Sequence, residues 1–246
     1  MLNFSAINNR ALLGRLLRLP LCIVPPSATV RIVQGPLRGM RWIAGSSNHG
    51  CWLGSYELPK QQKIAEFVKP GWTCWDVGAN VGFYTLLLSR LVGPQGKVVA
   101  FEPVSRNYEL LARHVEINRC ANVQLVRAAL GDFDGEVAFN DNMNHSMGFI
   151  SPLGATKVKS HRVDTLLANG AVPVPKMIKI DIEGAEAKLL GAGKILSQTH
   201  PAIFLATHGA AVHKECLDLL IEMKYSVSHL ACDEGELDDE LLALSD

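Results

Sequence analysis

Trp75-Asp76-Val77-Gly78-Ala79-Asn80-Val81-Gly82-Phe83-Tyr84 ends one apolar run, which begins at Thr73, and starts another. Glycines at 78 and 82 permit positive φ and let a ligand approach the main chain closely. The helix predicted over Phe83–Leu91 presents unpaired amide groups at its start. Strand, glycine turn and helix N-terminus in this order form the ligand-binding corner of a parallel α/β sheet.

The pattern on either side extends that corner into a domain. Lys97–Phe101 (KVVAF) is a buried strand, Ser105–Asn118 an amphipathic helix and Val123–Ala128 a third strand. Met177–Asp181, Ala202–Ala206 and Ser226–His229 continue the series, with helices near Ala185–Leu190 and Ala211–Lys224. This alternation predicts a Rossmann-like α/β fold with a mostly parallel central sheet and helices on both faces. Ligands then belong in the loops beyond the carboxyl ends of the strands. The Asn-, Asp- and Gly-rich stretch from Gly131 to Ser160 interrupts the series. Its β-like segments Glu136–Phe139 and Lys157–His161 predict a hairpin insertion, either a plain surface feature or a wall of the substrate site.

Upstream, Thr29–Val33 and Met40–Ile43 read as short strands around a Gly35-Pro36 turn, and Leu58–Val68 as a helix stopped by Lys69-Pro70-Gly71. Three regions follow: an N-terminal extension over 1–56, the main domain over 57–232 and an acidic, solvated tail over 233–246. Charge marks the same ends, since Arg10, Arg15, Arg18, Arg31, Arg38 and Arg41 all precede the first acid, Glu57.

The formal net charge is zero over 246 residues, which provides no global field for nucleic acid. No basic stripe with interleaved aromatics is present either. The six cysteines form no CxxC pair, so neither a zinc knuckle nor a redox motif is indicated, and reduced thiols in a cytoplasmic setting are expected. Residues Ala11–Val24 are apolar but broken by Arg15, Arg18 and Pro20, unlike a spanning helix or a secretory signal. An Arg-rich amphipathic helix is expected there, packed on the domain in preference to resting on an anionic membrane surface or, in a eukaryote, serving as a transit segment.

Which cofactor suits the turn follows from charge. A dinucleotide would bring its pyrophosphate to the helix N-terminus, with the fuller G-x-G-x-x-G pattern. Here the spacing is Gly78-x-Asn80-x-Gly82, and Asp76 precedes it. That carboxylate opposes a pyrophosphate and suits the ammonium of a methionine moiety. Glu102, at the end of the second strand, is placed to hold ribose hydroxyls. Leu130-Gly131-Asp132 is placed for adenine, with Leu130 against the ring and Asp132 accepting from the exocyclic amine. Together these residues predict S-adenosylmethionine.

The segments Asp76–Tyr84, Phe101-Glu102-Pro103, Asn107, Gly131-Asp132 and Lys179-Ile180-Asp181-Ile182-Glu183-Gly184-Ala185-Glu186 resemble the FkbM family of S-adenosylmethionine-dependent methyltransferases. The resemblance runs from about Trp52 to Tyr225. It implies O-methylation of a hydroxyl on a small molecule, sugar or glycan, and adds Asn107 to the cofactor residues. Tyr56-Glu57 also resembles family sequence, with Glu57 either reaching the cofactor or starting a helix. One departure is Ala206-Thr207-His208, where the family commonly carries Glu-x-His.

Methyl transfer to a hydroxyl needs alignment and a place for the released proton. Asp181 is the first candidate for the active-site base and His208 the second. Glu183 stands between substrate contact and a helix-dipole role, and Glu186 reads as a first-turn acid. Asn144 and Ser146 in the insertion are candidate acceptor contacts. Asp181 and Glu183 are oxygen donors of the type magnesium prefers, but two carboxylates two residues apart are commonplace and no metal is expected. Two further readings remain: N-methylation of a small molecule or protein, and a weakened cofactor-binding module acting at a membrane or partner surface, suggested by Ala206.

Overall fold

The computed structural model describes residues 23–140, 149–150, 156–194, 196–230 and 239–245. The predicted helix over 11–24 and the candidates Asn144 and Ser146 fall outside or almost wholly outside them. Strands β1 (Thr29–Arg31) and β2 (Arg41–Ile43) pair antiparallel and lead into helices α1 (His49–Leu53) and α2 (Leu58–Phe67). The alternating series then runs β3 (Thr73–Val77), α3 (Phe83–Val92), β4 (Lys97–Phe101), α4 (Ser105–Ile117) and β5 (Val123–Val126). Strands β6 (Ala129–Gly131), β7 (Gly135–Asn140), β8 (Phe149–Ile150) and β9 (Thr156–Arg162) form a separate sheet. After α5 (Val163–Ala168) come β10 (Met177–Ile180), α6 (Glu186–Ala192), α7 (Leu196–Thr199) and β11 (Ala202–Ala206). Helix α8 (Ala210–Glu222) and strands β12 (Tyr225–His229) and β13 (Glu240–Ser245) complete the order.

The central sheet has the order β12-β13-β11-β10-β3-β4-β5. Strands β11, β10, β3, β4 and β5 are parallel neighbours, and β13 runs antiparallel between β11 and β12. Successive residues of each strand face opposite layers. Cys74, Val98, Met177, Phe204 and Leu242 pack on one face with Leu86, Leu87 and Leu88 of α3, while Trp75, Val77, Val99, Ile178, Ile180 and Leu205 pack on the other with α6 and α8. The predicted hairpin is present, with Glu136 opposite Lys159 and Val137 opposite Val158.

The strands of the predicted extension are sealed into the main core. Trp42 is fully buried and stacks on His114 of α4, with ring centroids 3.9 Å apart. His114 Nδ1 donates to the Val81 carbonyl at 2.7 Å, and its Nε2 accepts from the Ile43 amide at 3.0 Å. This bonding requires the neutral imidazole, and burial pushes its pKa down to about 4. The segment is thereby tied to the turn after β3.

At the other end the expectation of a solvated tail is corrected. Leu241, Leu242 and Ala243 are buried, and β13 pairs on both sides within the sheet. The apolar run Leu241–Leu244 decides this, whatever the acids before it suggest, because burying both faces of a strand outweighs the composition of its flank. Cys51, Cys74, Cys120 and Cys216 are free thiols. No helix among the described residues is long and apolar enough to cross a membrane.

Leu241→Ala should therefore cost about 2–5 kcal/mol in urea denaturation, as expected for truncating a buried leucine. A solvated tail would show a change within about 0.5 kcal/mol.

Candidate active site

Strand order turns at β3: the chain proceeds outward through β4 and β5, then returns to lay β10 and β11 on the opposite side. A cavity of about 600 Å³ lies at this switch point, within the usual size range for small-molecule sites. Its floor is the turn Gly78–Val81. Gly78 has φ +75, and a Cβ there would stand 1.8 Å from the Asp181 carbonyl, so only glycine lets the ends of β3 and β10 approach this closely. Gly82, predicted to contact cofactor, is outside the lining, and a Cβ there would meet Leu111 Cδ1 at 2.5 Å.

Asp76 has a different place from the one expected. It is fully buried and does not line the cavity. Thr85 Oγ1 donates to its Oδ2 at 2.6 Å, and Lys179 Nζ lies 3.4 Å from its Oδ1. Lys179 also lies 3.4 Å from Asp181 Oδ2 and donates to the Gly78 carbonyl at 3.1 Å. Burial opposes the charge on this lysine, but Asp181 and Asp76 outweigh it and raise its pKa. The charge of Asp76 is thus answered inside the protein. The sequence reading gave Lys179 no role of its own, because its partnership with Asp76 is made only by the β3–β10 register, which sets the two directly opposite.

On the β4 side, Glu102 is 4% exposed and lines the cavity. It accepts from the amides of Asn80 at 2.8 Å and Val104 at 2.9 Å, and from the Asn107 side chain. Burial nevertheless raises its pKa to about 7. Asn80 and Asn107 share this wall, with Ala129 and Leu130 beyond them. Gly131 and Asp132 do not line the cavity, and Asp132 is exposed, because β6 turns them into the second sheet. Of the residues expected at adenine, only Leu130 lines the cavity, beside Ala129.

The β10–β11 side gathers Asp181, Glu183 and His208. His208 Nε2 stands 3.6 Å from Asp181 Oδ1 and 3.5 Å from Glu183 Oε2. Its Nδ1 bonds Glu186 Oε1 at 2.7 Å, and Glu186 is completely buried. Glu186, read from sequence as a dipole acid, therefore orients an imidazole. That bond is the main cause raising His208 to about 9, against the opposing effect of burial. Burial works to raise the Asp181 carboxyl, but Lys179, Lys60 and His208 together hold it below the ordinary carboxylate range.

Glu57 occupies the N-cap position of α2, without a side-chain cap bond, and lines the cavity. Its Oε2 accepts from the Tyr84 hydroxyl at 2.7 Å and faces Lys60 Nζ at 3.6 Å. Lys60 in turn bonds Glu240 Oε1 of β13 at 2.5 Å. Glu240 and the extension residues Gly45–Asn48, Cys51 and Tyr56 complete this wall. Sequence reading missed these because they come from segments assigned to the two ends.

A model of the FkbM methyltransferase domain matches residues 76–233, more than half of the chain. The chain belongs to the FkbM methyltransferase family. Its sheet is the Rossmann-like class I methyltransferase architecture. Similar curated proteins include the hexuronic acid methyltransferase AglP of Haloferax volcanii, 27% identical over 154 residues that cover 62% of each chain. Methyltransferase 1 of Beauveria bassiana is 27% identical over 139 residues, covering 47% of this chain and 55% of that one. The match spans less than two thirds of either relative's length. Among solved structures, Aeropyrum pernix fibrillarin with natively bound S-adenosyl-L-methionine is 14% identical at a TM-score of 0.46, covering 71% of this chain and 66% of that chain. Precorrin-6y C5,15-methyltransferase from Geobacter metallireducens is 14% identical at a TM-score of 0.48, covering 76% of this chain and 86% of that chain.

Lys179→Met in this FkbM-family protein should destabilise the fold by about 3–5 kcal/mol, since it strands the buried Asp76 carboxylate. The double variant Asp76→Asn/Lys179→Met should recover much of that loss in the same denaturation assay. A small effect of Lys179→Met alone would show that Asp76 needs no internal counter-charge.

Proposed function

We propose that the protein is an S-adenosylmethionine-dependent methyltransferase acting on a hydroxyl of a small molecule, sugar or glycan. The observation that carries this reading is one cavity with Glu102 on one wall and Glu57, Asp181, Glu183 and Glu240 on another. Glu102 fits a ribose diol, which donates two hydrogen bonds to a carboxylate. Ala129 and Leu130 beside it suit the adenine face. The acidic wall suits the ammonium and sulfonium charges of the methionine end. This moves the electrostatic role first given to Asp76 onto residues that line the cavity, with Glu57 the best placed for the ammonium.

When bound, S-adenosylmethionine supplies an electrophilic methyl group. The chain's own part is to align an acceptor oxygen with it and to hold the acceptor's proton. Pairing with Lys179 makes Asp181 better suited to hold an acceptor hydroxyl than to remove its proton. His208, fixed through Nδ1, presents Nε2 to the same point. The intact Glu186–His208 pair supports an active enzyme over a weakened module, despite Ala206. A sugar acceptor is supported by the hexuronic acid methyltransferase among the relatives. We place the protein in the cytoplasm on the reduced-thiol reading of its cysteines.

Calorimetry with S-adenosylhomocysteine tests the cofactor assignment. Glu102 with a pKa of about 7 must be ionised to accept from the ribose, so affinity should fall as pH drops from 8 to 6, approaching tenfold per unit below pH 7. Glu102→Gln should weaken binding and flatten that profile; an unchanged profile would remove Glu102 from the site. His208→Ala should lower methyl transfer by roughly 10²-fold or more while leaving cofactor affinity nearly intact. Loss of affinity without loss of turnover would reverse the assignment of the two walls.

A further inference from the structure

We propose that Asp181, Glu183 and His208 form a binding site for one hard divalent cation, of the Mg²⁺ or Mn²⁺ type, at the acceptor end of the cavity. One donor atom from each residue lies within 4.8 Å of the others. Donors around a single ion at about 2.0–2.3 Å stand up to roughly 4.5 Å apart, so small side-chain rotations close the set. The three come from the end of β10, the loop after it and the end of β11, so the convergence is made by the fold. Two carboxylate oxygens and one imidazole nitrogen form a donor set for a hard or borderline ion.

The arrangement around His208 points to a ligand rather than to a plain ion pair. Both distances from Nε2 to the carboxylates, 3.5 and 3.6 Å, exceed good hydrogen-bond length, so the ring nitrogen and the two carboxylate oxygens face one another across a gap. The other ring nitrogen is taken by Glu186, a carboxylate with no exposure at all. Glu186 is itself held by the Gly184 amide at 3.1 Å. A buried carboxylate behind an imidazole sets the ring's orientation and strengthens its far nitrogen as a donor, the usual support of a metal-binding histidine. Glu183, in turn, sits at φ +54, a backbone region few non-glycine residues adopt, and the chain holds it there beside the cavity.

Charge leads to the same place. Asp76 and Asp181 engage Lys179, Glu183 and Glu186 lie against His208, and Glu57 and Glu240 both engage Lys60. Even with a protonated His208 the carboxylates outnumber the cations. Lys179 faces Asp181 through Oδ2, leaving Oδ1 toward His208. A dication there offsets the excess, and its remaining coordination positions open on the cavity, where acceptor oxygens can occupy them. The inference deepens the methyltransferase reading by giving its acceptor wall a metal: with an ion held there, His208 Nε2 would be a ligand, and the ion in place of the imidazole would ease loss of the acceptor's proton; metal binding itself does not require methyl transfer.

The full chain, freed of metal by chelation, can be titrated with Mn²⁺ and followed by electron paramagnetic resonance and calorimetry. One saturable equivalent is expected. Glu183→Gln, at a partly exposed position, should weaken binding at least tenfold with an unchanged melting temperature. Glu186→Gln should weaken it about 10–100-fold through His208. Absence of saturable Mn²⁺ binding up to millimolar concentration, or equal binding by Glu183→Gln, would overturn the site. S-adenosylhomocysteine titrated into the same samples separates the two claims: cofactor binding without Mn²⁺ binding sinks the metal alone, and the converse sinks the cofactor assignment alone.

Discussion

The ammonium of Lys179 is the constraint on which the site is built. It lies buried beneath the turn after β3, shared among Asp76, Asp181 and the Gly78 carbonyl. Each of these oxygens would be costly to bury without a cation, and the cation would be as costly without them. Their mutual need therefore fixes the ends of β3 and β10 relative to one another. Gly78 then lets the two backbones close to a separation that no side chain would permit.

Once this floor is set, the two walls acquire separate roles. Lys179 satisfies Asp76 from inside, so the charges facing the cavity are those that lack a full internal answer. On the β4 wall a single buried carboxyl, Glu102, is held near its ionisation point by burial working against two backbone amides. On the β11 wall, carboxylates crowd an oriented imidazole. A cation with a diol at its other end matches both walls at once, whereas a pyrophosphate would meet acid along its whole length.

The parts of this arrangement that the sequence discloses are those that depend on local pattern. Strands β3, β4 and β11 begin and end where the apolar runs Thr73–Val77, Lys97–Phe101 and Ala202–Ala206 predict, because strands buried on both faces leave little freedom for their limits. Glu102, Asn80, Asp181 and His208 reach the cavity because strand ends determine their place. What was misread depends on partners distant in the chain. Asp76 looked like a ligand contact until the β10 register set Lys179 against it. Glu186 has the position of a helix-start acid, and only the fold brings His208, from beyond the end of β11, to its buried carboxylate. Strand β13 was hidden by the acids before it, and with it Glu240 and the anchor for Lys60. The site wall formed by Gly45–Asn48 has no motif; it arrives through Trp42 stacking on His114.

These long-range partners also connect the two halves of the cavity. His114 bonds the Val81 carbonyl of the turn after β3 and the Ile43 amide of the extension, so the wall from Gly45 to Asn48 is tied to that turn. Tyr84, at the start of the helix that the turn opens, bonds Glu57, and Lys60 joins Glu57 to Glu240 on the last strand. Glu57 is thereby linked to β13, as Gly78 is linked through Lys179 to Asp181. Because close-packed interiors transmit small displacements instead of absorbing them, filling the β4 wall bears directly on the geometry of the β10–β11 wall.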